Sequence, residues 1–182
     1  RSKQFAWERL LRQALLRSDV NPDKVYVFGI SEGGYGSQRI ASFYADYWAA
    51  AGPMAGGEPL KNAPAENCCN LAFNLKTGAN DGGFYRNTLT EYTRQALDKL
   101  ETDNPGYFVH DVQLLDGYAH VIPYNKTTPW LLGYKRNAAP KKVMWENFNM
   151  DGERRNGYYN ILLEKDPLSP ASLNRSFYTL NI

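Results

Sequence analysis

The chain has 182 residues, 43% of them hydrophobic, and a formal net charge of +2. This length and composition fit one globular domain with a genuine core and a small appendage. The near-zero charge, with basic residues only in scattered pairs, argues against a nucleic-acid partner. No apolar stretch approaches the roughly 20 residues that a membrane span needs.

Helical and strand-like patterns alternate along the first 125 residues. We predict a helix before a turn at 19–23, a strand at 24–28, a helix at 37–47, strands at 48–54 and 71–77, a helix around 89–100 and a strand at 107–115. Residues 55–70 are predicted to form a loop with at most a short helix. This alternation is typical of a parallel sheet with right-handed crossovers, so we predict an α/β fold.

The pattern changes after residue 125. Strand-like runs at 141–148, 158–165 and 176–182 are separated by turns that contain proline and glycine. We therefore predict an α/β unit at 1–125, followed by a β-rich C-terminal appendage at 126–182.

The only two cysteines, Cys68 and Cys69, are neighbours in the sequence. Adjacent cysteines rarely reach disulfide geometry without strain, so we predict free, buried thiols. A redox or metal-binding pair is the alternative, but no third cysteine or nearby histidine completes a ligand set.

A serine lies at the predicted junction of the first strand and the next helix. Gly29-Ile30-Ser31-Glu32-Gly33 matches the G-x-S-x-G nucleophile elbow, and Gly29 and Gly33 are expected to lack room for side chains. The alternative is a glycine-rich turn with an incidental serine, but no lysine or third glycine supports a phosphate loop. We predict that Ser31 is a nucleophile, which then needs a base.

The chain has two histidines, and only one follows a strand. His110 falls inside the predicted fourth strand, on the face of Phe108 and Val112, so we interpret it as structural. His120 lies in the loop after that strand, from which an imidazole can reach a serine. We therefore predict that His120 is the base, the alternative being a surface histidine.

Four aspartates between the serine and His120 are candidates for the acid that orients the imidazole: Asp81, Asp103, Asp111 and Asp116. Asp81 directly follows a strand and gives the Ser, Asp, His order of elbow-containing folds. Its surroundings, Asn80-Asp81-Gly82-Gly83, are also ordinary turn chemistry. We predict Asp81 as the acid and keep Asp116 as the second candidate.

Three segments together resemble a known family. Residues 21–34, with the doubled glycine after the serine, resemble the elbow of α/β-hydrolase esterases related to polyhydroxybutyrate depolymerases, feruloyl esterases and dienelactone hydrolases. Residues 78–81 are similar to their acid loop, and residues 117–123 to their histidine loop. The resemblance covers about residues 4–125 and implies an α/β-hydrolase fold in which Ser31, Asp81 and His120 form the triad.

One departure from that family concerns the oxyanion hole. The backbone N–H of Glu32 supplies one donor, but the second normally comes from a loop before the elbow, and here Ser31 follows a single helix. We therefore expect the chain to be the C-terminal catalytic half of the fold, with the N-terminal half in the same protein or in a partner chain. The strand at 24–29 is then expected to have an unpaired edge.

The resemblance implies a serine hydrolase that cleaves a small-molecule or polymer-derived carboxylic ester through an acyl-enzyme, without a metal or an organic cofactor. One alternative is a serine peptidase of the prolyl-oligopeptidase type. Another is a catalytically silent hydrolase fold that binds carbohydrate on exposed tyrosines and tryptophans. The acyl and alcohol groups stay unspecified, and localisation is left open, with secretion or a periplasmic location slightly favoured.

Overall fold

The computed structural model describes residues 3–17, 19–164 and 175–182. Four parallel strands form a sheet in the order β1-β2-β3-β4, which is also their order in the chain. These strands are β1 Tyr26–Ile30, β2 Ala50–Met54, β3 Ala72–Gly78 and β4 His110–Leu115. The helices are α1 Lys3–Leu15, α2 Glu32–Phe43, α3 Arg86–Asp103 and α4 Thr127–Leu131, with short 3-10 helices at Ala45–Tyr47, Ala65–Cys68 and Gly83–Tyr85.

Helices pack against both faces of this sheet. Ala51 and Phe73 share a buried cluster with Leu97 of α3, whereas Ala50 and Ala72 contact the cluster of Leu131 in α4. Side chains alternate between the two faces of a strand, so the adjacent residues of β2 and of β3 point to opposite helices. This is the layered α/β arrangement that the sequence predicts.

Two predicted boundaries differ from the structure for identifiable reasons. The second helix begins at Glu32, five residues before the predicted start, because Gly33, Gly34 and Gly36 are weak helix formers whose placement depends on tertiary packing. The fourth strand begins at His110, not at 107, because Phe108 has a φ of 59°. A left-handed backbone is incompatible with a regular strand.

The C-terminal segment contains two antiparallel strand pairs. Strand β5 Lys142–Phe148 pairs with β8 Arg175–Asn181, and β6 Gly157–Tyr158 pairs with β7 Ile161–Leu162. The continuous strand predicted at 158–165 is wrong over its described part, because Tyr159, with a φ of 52°, turns the chain into this short hairpin. Residue 165 lies outside the described residues.

The C-terminal segment shares its core with the parallel sheet. Val143, Trp145 and Tyr158 belong to the same buried cluster as Phe73. The Asn67 side chain accepts a hydrogen bond from the Glu146 N–H at 2.6 Å and donates one to the Glu146 carbonyl at 3.0 Å. The boundary proposed at residue 125 stays a prediction, and the structure adds that apolar side chains from both sides of it pack together.

A buried ion pair also joins the two parts of the chain. Arg155, before β6, contacts both carboxylate oxygens of Asp46, with Nη2 2.8 Å from Oδ2. The guanidinium also lies over the rings of Tyr44, Tyr47 and Tyr158. The Arg155 guanidinium is therefore stabilised by cation–π interactions with these rings as well as by its hydrogen bonds to Asp46.

Strand β1 forms one edge of the parallel sheet. Among the described residues it pairs with β2 alone, and Phe28 and Ile30 are 54% and 43% exposed. The apolar groove beside β1 is bordered by Trp7 and Leu10 of α1. None of the described helices has the length and apolar character required to cross a membrane.

Candidate active site

The serine of the elbow lies in a strained turn between β1 and α2. Ser31 has φ 59° and ψ −116°, a backbone conformation that residues other than glycine seldom adopt. Its N–H donates to the Met54 carbonyl at 3.0 Å, which ties the turn to the end of β2. The half-buried hydroxyl therefore lies at the carboxyl edge of the sheet, where parallel α/β folds place their sites.

Two glycines make this turn possible, but they are not the predicted pair. A Cβ on Gly29 would lie 2.2 Å from the Gly33 carbonyl oxygen, as the elbow motif requires. A Cβ on Gly33 would meet no atom within 4 Å, so the steric requirement expected at Gly33 is absent. The second close approach is at Gly34, where a Cβ would lie 2.4 Å from the Met54 carbonyl oxygen.

The three predicted triad side chains form a continuous chain of hydrogen bonds. Ser31 Oγ lies 2.9 Å from His120 Nε2, and His120 Nδ1 lies 2.8 Å from Asp81 Oδ2. In the neutral tautomer that donates from Nδ1 to the carboxylate, Nε2 keeps a lone pair that can accept the serine proton. Asp81 is 4% exposed, so its carboxylate is shielded from solvent.

The loops that carry the acid and the histidine are hydrogen-bonded to each other. The Ala79 N–H donates to the Leu115 carbonyl at 2.9 Å, and the Asn80 N–H donates to the Tyr118 carbonyl at 2.9 Å. These bonds continue the pairing of β3 with β4 beyond the end of the sheet. The separation of the acid from the histidine is thus set by main-chain contacts.

The other candidate residues lie elsewhere. Asp111 is hydrogen-bonded by Asn74 within the sheet, Asp103 pairs with Lys99 on the surface of α3, and Asp116 is exposed in the turn after β4. His110 contacts the Phe108 carbonyl and Asp98 at 2.7 and 3.0 Å. Of the four aspartates, Asp81 is the one that reaches His120.

Glu32, the first residue of α2, directly follows the serine. The N–H groups of a helix's first turn have no partner within the helix, and the helix dipole favours negative charge there. The Glu32 N–H is therefore available as a hydrogen-bond donor beside the Ser31 hydroxyl.

An arginine that the sequence analysis missed completes the surroundings of the acid. Arg86 Nη1 donates to Asp81 Oδ1 at 3.0 Å and to the Gly83 carbonyl at 3.1 Å. In the sequence, the feature that could have indicated Arg86 is a basic residue five positions after Asp81, near the start of a predicted helix. Such a signal is weak, because most basic residues near a helix start have no functional partner.

The two cysteines take no part in this arrangement. Cys68 and Cys69 are free and buried, and burial raises the pKa of their thiols to about 12 and about 11. Among the residues that the structure describes, no three His, Cys, Asp or Glu side chains are grouped so that they could hold a metal ion.

Comparison with solved structures finds a similar fold in an esterase. The chain is similar to the crystal structure of a thermostable esterase, with a TM-score of 0.59 and 18% sequence identity. The match covers 75% of this chain and 37% of the esterase, so this chain spans well under half of that protein. No family model matches the chain, and no curated protein matches its sequence.

Proposed function

We propose that the protein is a serine hydrolase that cleaves carboxylic esters. The observation that carries this proposal is the hydrogen-bonded sequence from Ser31 through His120 to Asp81, with distances of 2.9 and 2.8 Å. A serine hydroxyl is a weak nucleophile unless an oriented base accepts its proton, and this geometry provides both the base and its orienting group. Similarity to the fold of an esterase supports an ester as the substrate.

The reaction would proceed in two halves. Ser31 Oγ attacks the ester carbonyl while His120 Nε2 takes the hydroxyl proton, and the imidazolium then gives that proton to the departing alcohol. Water, deprotonated by the same imidazole, hydrolyses the acyl-serine. Asp81 holds the imidazole in the required tautomer and stabilises its charge throughout. These steps require no metal or organic cofactor.

The oxyanion of each tetrahedral intermediate needs two donors in the proposed mechanism. The Glu32 N–H at the start of α2 supplies one. We propose that the second comes from a further segment of the fold, in the same protein or in a partner chain, that pairs with the free edge of β1. The exposed Phe28 and Ile30 side chains at that edge support this arrangement.

The proposed substrate is a small-molecule ester or an ester released from a polymer. Two large side chains beside the acid loop, Phe84 and Tyr85, are 79% and 74% exposed. Both have positive φ values, which place the rings at the surface at some cost in backbone strain. Exposed aromatic rings beside the loop of the proposed acid favour a substrate with apolar or ring-containing parts.

Labelling with a fluorophosphonate probe tests the proposal directly. The complete protein should react at one serine, and Ser31→Ala should abolish the label, whereas Ser176→Ala in β8 should keep it. Parallel assays on p-nitrophenyl esters and on peptide substrates would separate an esterase from a peptidase. Label that persists in Ser31→Ala, or a folded wild-type protein that takes no label, would overturn the assignment.

A second pair of variants tests the acid. Asp81→Asn should lower kcat by roughly 10³- to 10⁴-fold, because the amide favours the wrong imidazole tautomer. Asp116→Asn should change kcat by less than about twofold, because Asp116 is exposed and lies outside the hydrogen-bonded chain. If Asp116→Asn lowered kcat more than Asp81→Asn did, Asp116 would be the acid of the triad.

A further inference from the structure

Arg86 is the second partner of the Asp81 carboxylate. Its Nη1 bonds to Oδ1 at 3.0 Å, while Oδ2 bonds to His120 at 2.8 Å. Each carboxylate oxygen therefore has one charged or polar partner, and the two bonds together fix the plane of the carboxyl group. Removing either partner would leave that plane free to rotate.

The arginine is enclosed to a degree that helix stability alone does not explain. Its side chain is 11% exposed, and its buried Nε has no hydrogen-bond partner among the described residues. An unmet donor on a buried cation destabilises the folded state. The guanidinium is held over the ring of Phe84 at 5.1 Å and over that of Tyr35 at 5.8 Å.

The acid loop is shaped to admit this side chain. A Cβ on Gly83 would lie 2.8 Å from Arg86 Nη1 and 3.6 Å from Asp81 Oδ1. Glycine at position 83 therefore leaves the space in which the arginine meets the carboxylate. The absence of a side chain at Gly83 thus lets Arg86, the first residue of α3, reach the Asp81 carboxylate.

We infer that Arg86 is a positioning residue, which holds the Asp81 carboxylate in the orientation that lets His120 act as a base. The inference rests on the proposed function, since it concerns how the serine is activated. Arg86 itself is placed on the oxygen of Asp81 that faces away from the imidazole, so it acts through Asp81 and contacts no reacting atom. A charge-assisted hydrogen bond to a shielded carboxylate is among the stronger orienting contacts in proteins.

The test is the rate at which a fluorophosphonate labels Ser31, measured on the complete protein. Arg86→Met should lower this rate by about 10- to 100-fold. With p-nitrophenyl acetate, kcat should fall while KM changes by less than about twofold. The matched control is Arg94→Met, which removes an arginine of the same helix whose ion pairs within the described part of the chain are with Glu91 and Asp98. It should label at the wild-type rate.

A double-mutant cycle separates positioning from general stability. If Arg86 acts through Asp81, then Arg86→Met should have less than about a twofold effect in the Asp81→Asn background. Equal fold-losses in both backgrounds would overturn the inference. If Arg86→Met does not fold, Arg86→Gln carries the test, because its shorter side chain keeps a polar amide but loses the guanidinium that bonds to Asp81 Oδ1. A wild-type labelling rate in a folded Arg86→Gln variant would then overturn the inference.

The two proposals fail in different ways. A folded wild-type protein that takes no label overturns the proposed function, and this inference with it. A wild-type protein that labels at Ser31, together with an Arg86→Met variant that labels equally fast, overturns only the role of Arg86.

Discussion

Gly78 and Ala119 lie so close together that a Cβ on Gly78 would stand 2.0 Å from the Ala119 carbonyl oxygen. Gly78 ends β3 and leads into the loop of the acid, whereas Ala119 directly precedes His120. The contact therefore sets how closely the acid loop can approach the histidine loop. A hydrogen bond of 2.8 Å between Asp81 and His120 depends on this main-chain proximity.

We expect Gly78→Ala to separate the two loops. The clash is with backbone atoms, which cannot swing aside as a side chain can, so the free energy of unfolding should fall by about 1–3 kcal/mol. Fluorophosphonate labelling should slow by at least about tenfold. Gly82→Ala is the matched control, because a Cβ there meets no atom within 4 Å. Equal behaviour of the two variants in thermal melts and labelling would contradict this explanation.

The elbow glycines should differ sharply from each other. Gly29→Ala places a Cβ 2.2 Å from a main-chain oxygen and should abolish labelling of Ser31 or prevent folding. Gly33→Ala meets open space inside α2, where alanine is the better helix former, and should stabilise the protein by about 0.5 kcal/mol while keeping the label. Denaturant unfolding together with probe labelling would check both. If Gly33→Ala were instead less stable than the wild type, the lack of room for a side chain that the motif predicts at position 33 would be supported.

The three residues of the candidate site could be predicted from the sequence because they follow the ends of predicted strands. Ser31, Asp81 and His120 each follow a short apolar run, and parallel strands bring such positions to one edge. The choice of Asp81 over Asp116 rested on this placement, and in the structure Asp81 Oδ2 lies 2.8 Å from His120 Nδ1.

Arg86 and the C-terminal packing did not follow from the sequence. The role of an arginine depends on which carboxylate its guanidinium meets in space, and no periodicity encodes that. The hairpin at 157–162 was missed because Tyr159 adopts a left-handed turn that tyrosine seldom takes. Its surroundings, and not its own propensity, decide this conformation.

The two cysteines should be unreactive in the folded protein. With pKa values of about 12 and about 11, raised by burial, less than about 1% of either thiol is ionised at pH 8. We expect 5,5′-dithiobis(2-nitrobenzoate) to titrate no thiol of Cys68 or Cys69 in native protein, and two thiols in guanidinium chloride. Fast reaction of the native protein, or no reaction after unfolding, would contradict the free, buried state.

Glu58 should make stability depend on pH in a direction opposite to that of a carboxylate whose pKa is lowered by a paired cation. Burial raises its pKa above the ordinary value of 4.5, although Asn62 and Arg39 oppose the shift. The stabilisation that this group contributes is therefore fully present below about pH 4.5 and is lost as the pH rises through the raised folded-state pKa. At neutral pH the ionised Glu58 carboxylate therefore lowers the free energy of unfolding.

Glu58→Gln keeps the oxygen that accepts from Asn62 and removes the charge. We expect its melting temperature to exceed that of the wild type by a few degrees at pH 7 and to match it below about pH 4.5. Glu153→Gln, at an exposed position after β5, should show no such crossover. Thermal melts across this pH range would decide, and a loss of stability at pH 7 would show that the Arg39 contact outweighs burial.

The buried contact of Asp46 with Arg155 makes the two parts of the chain interdependent. If the C-terminal segment detached, the Asp46–Arg155 ion pair would be lost and the apolar cluster that both parts share would be exposed to solvent. The parallel sheet and the hairpin of Tyr158 should therefore melt as one cooperative unit, and neither can be lost while the other stays native.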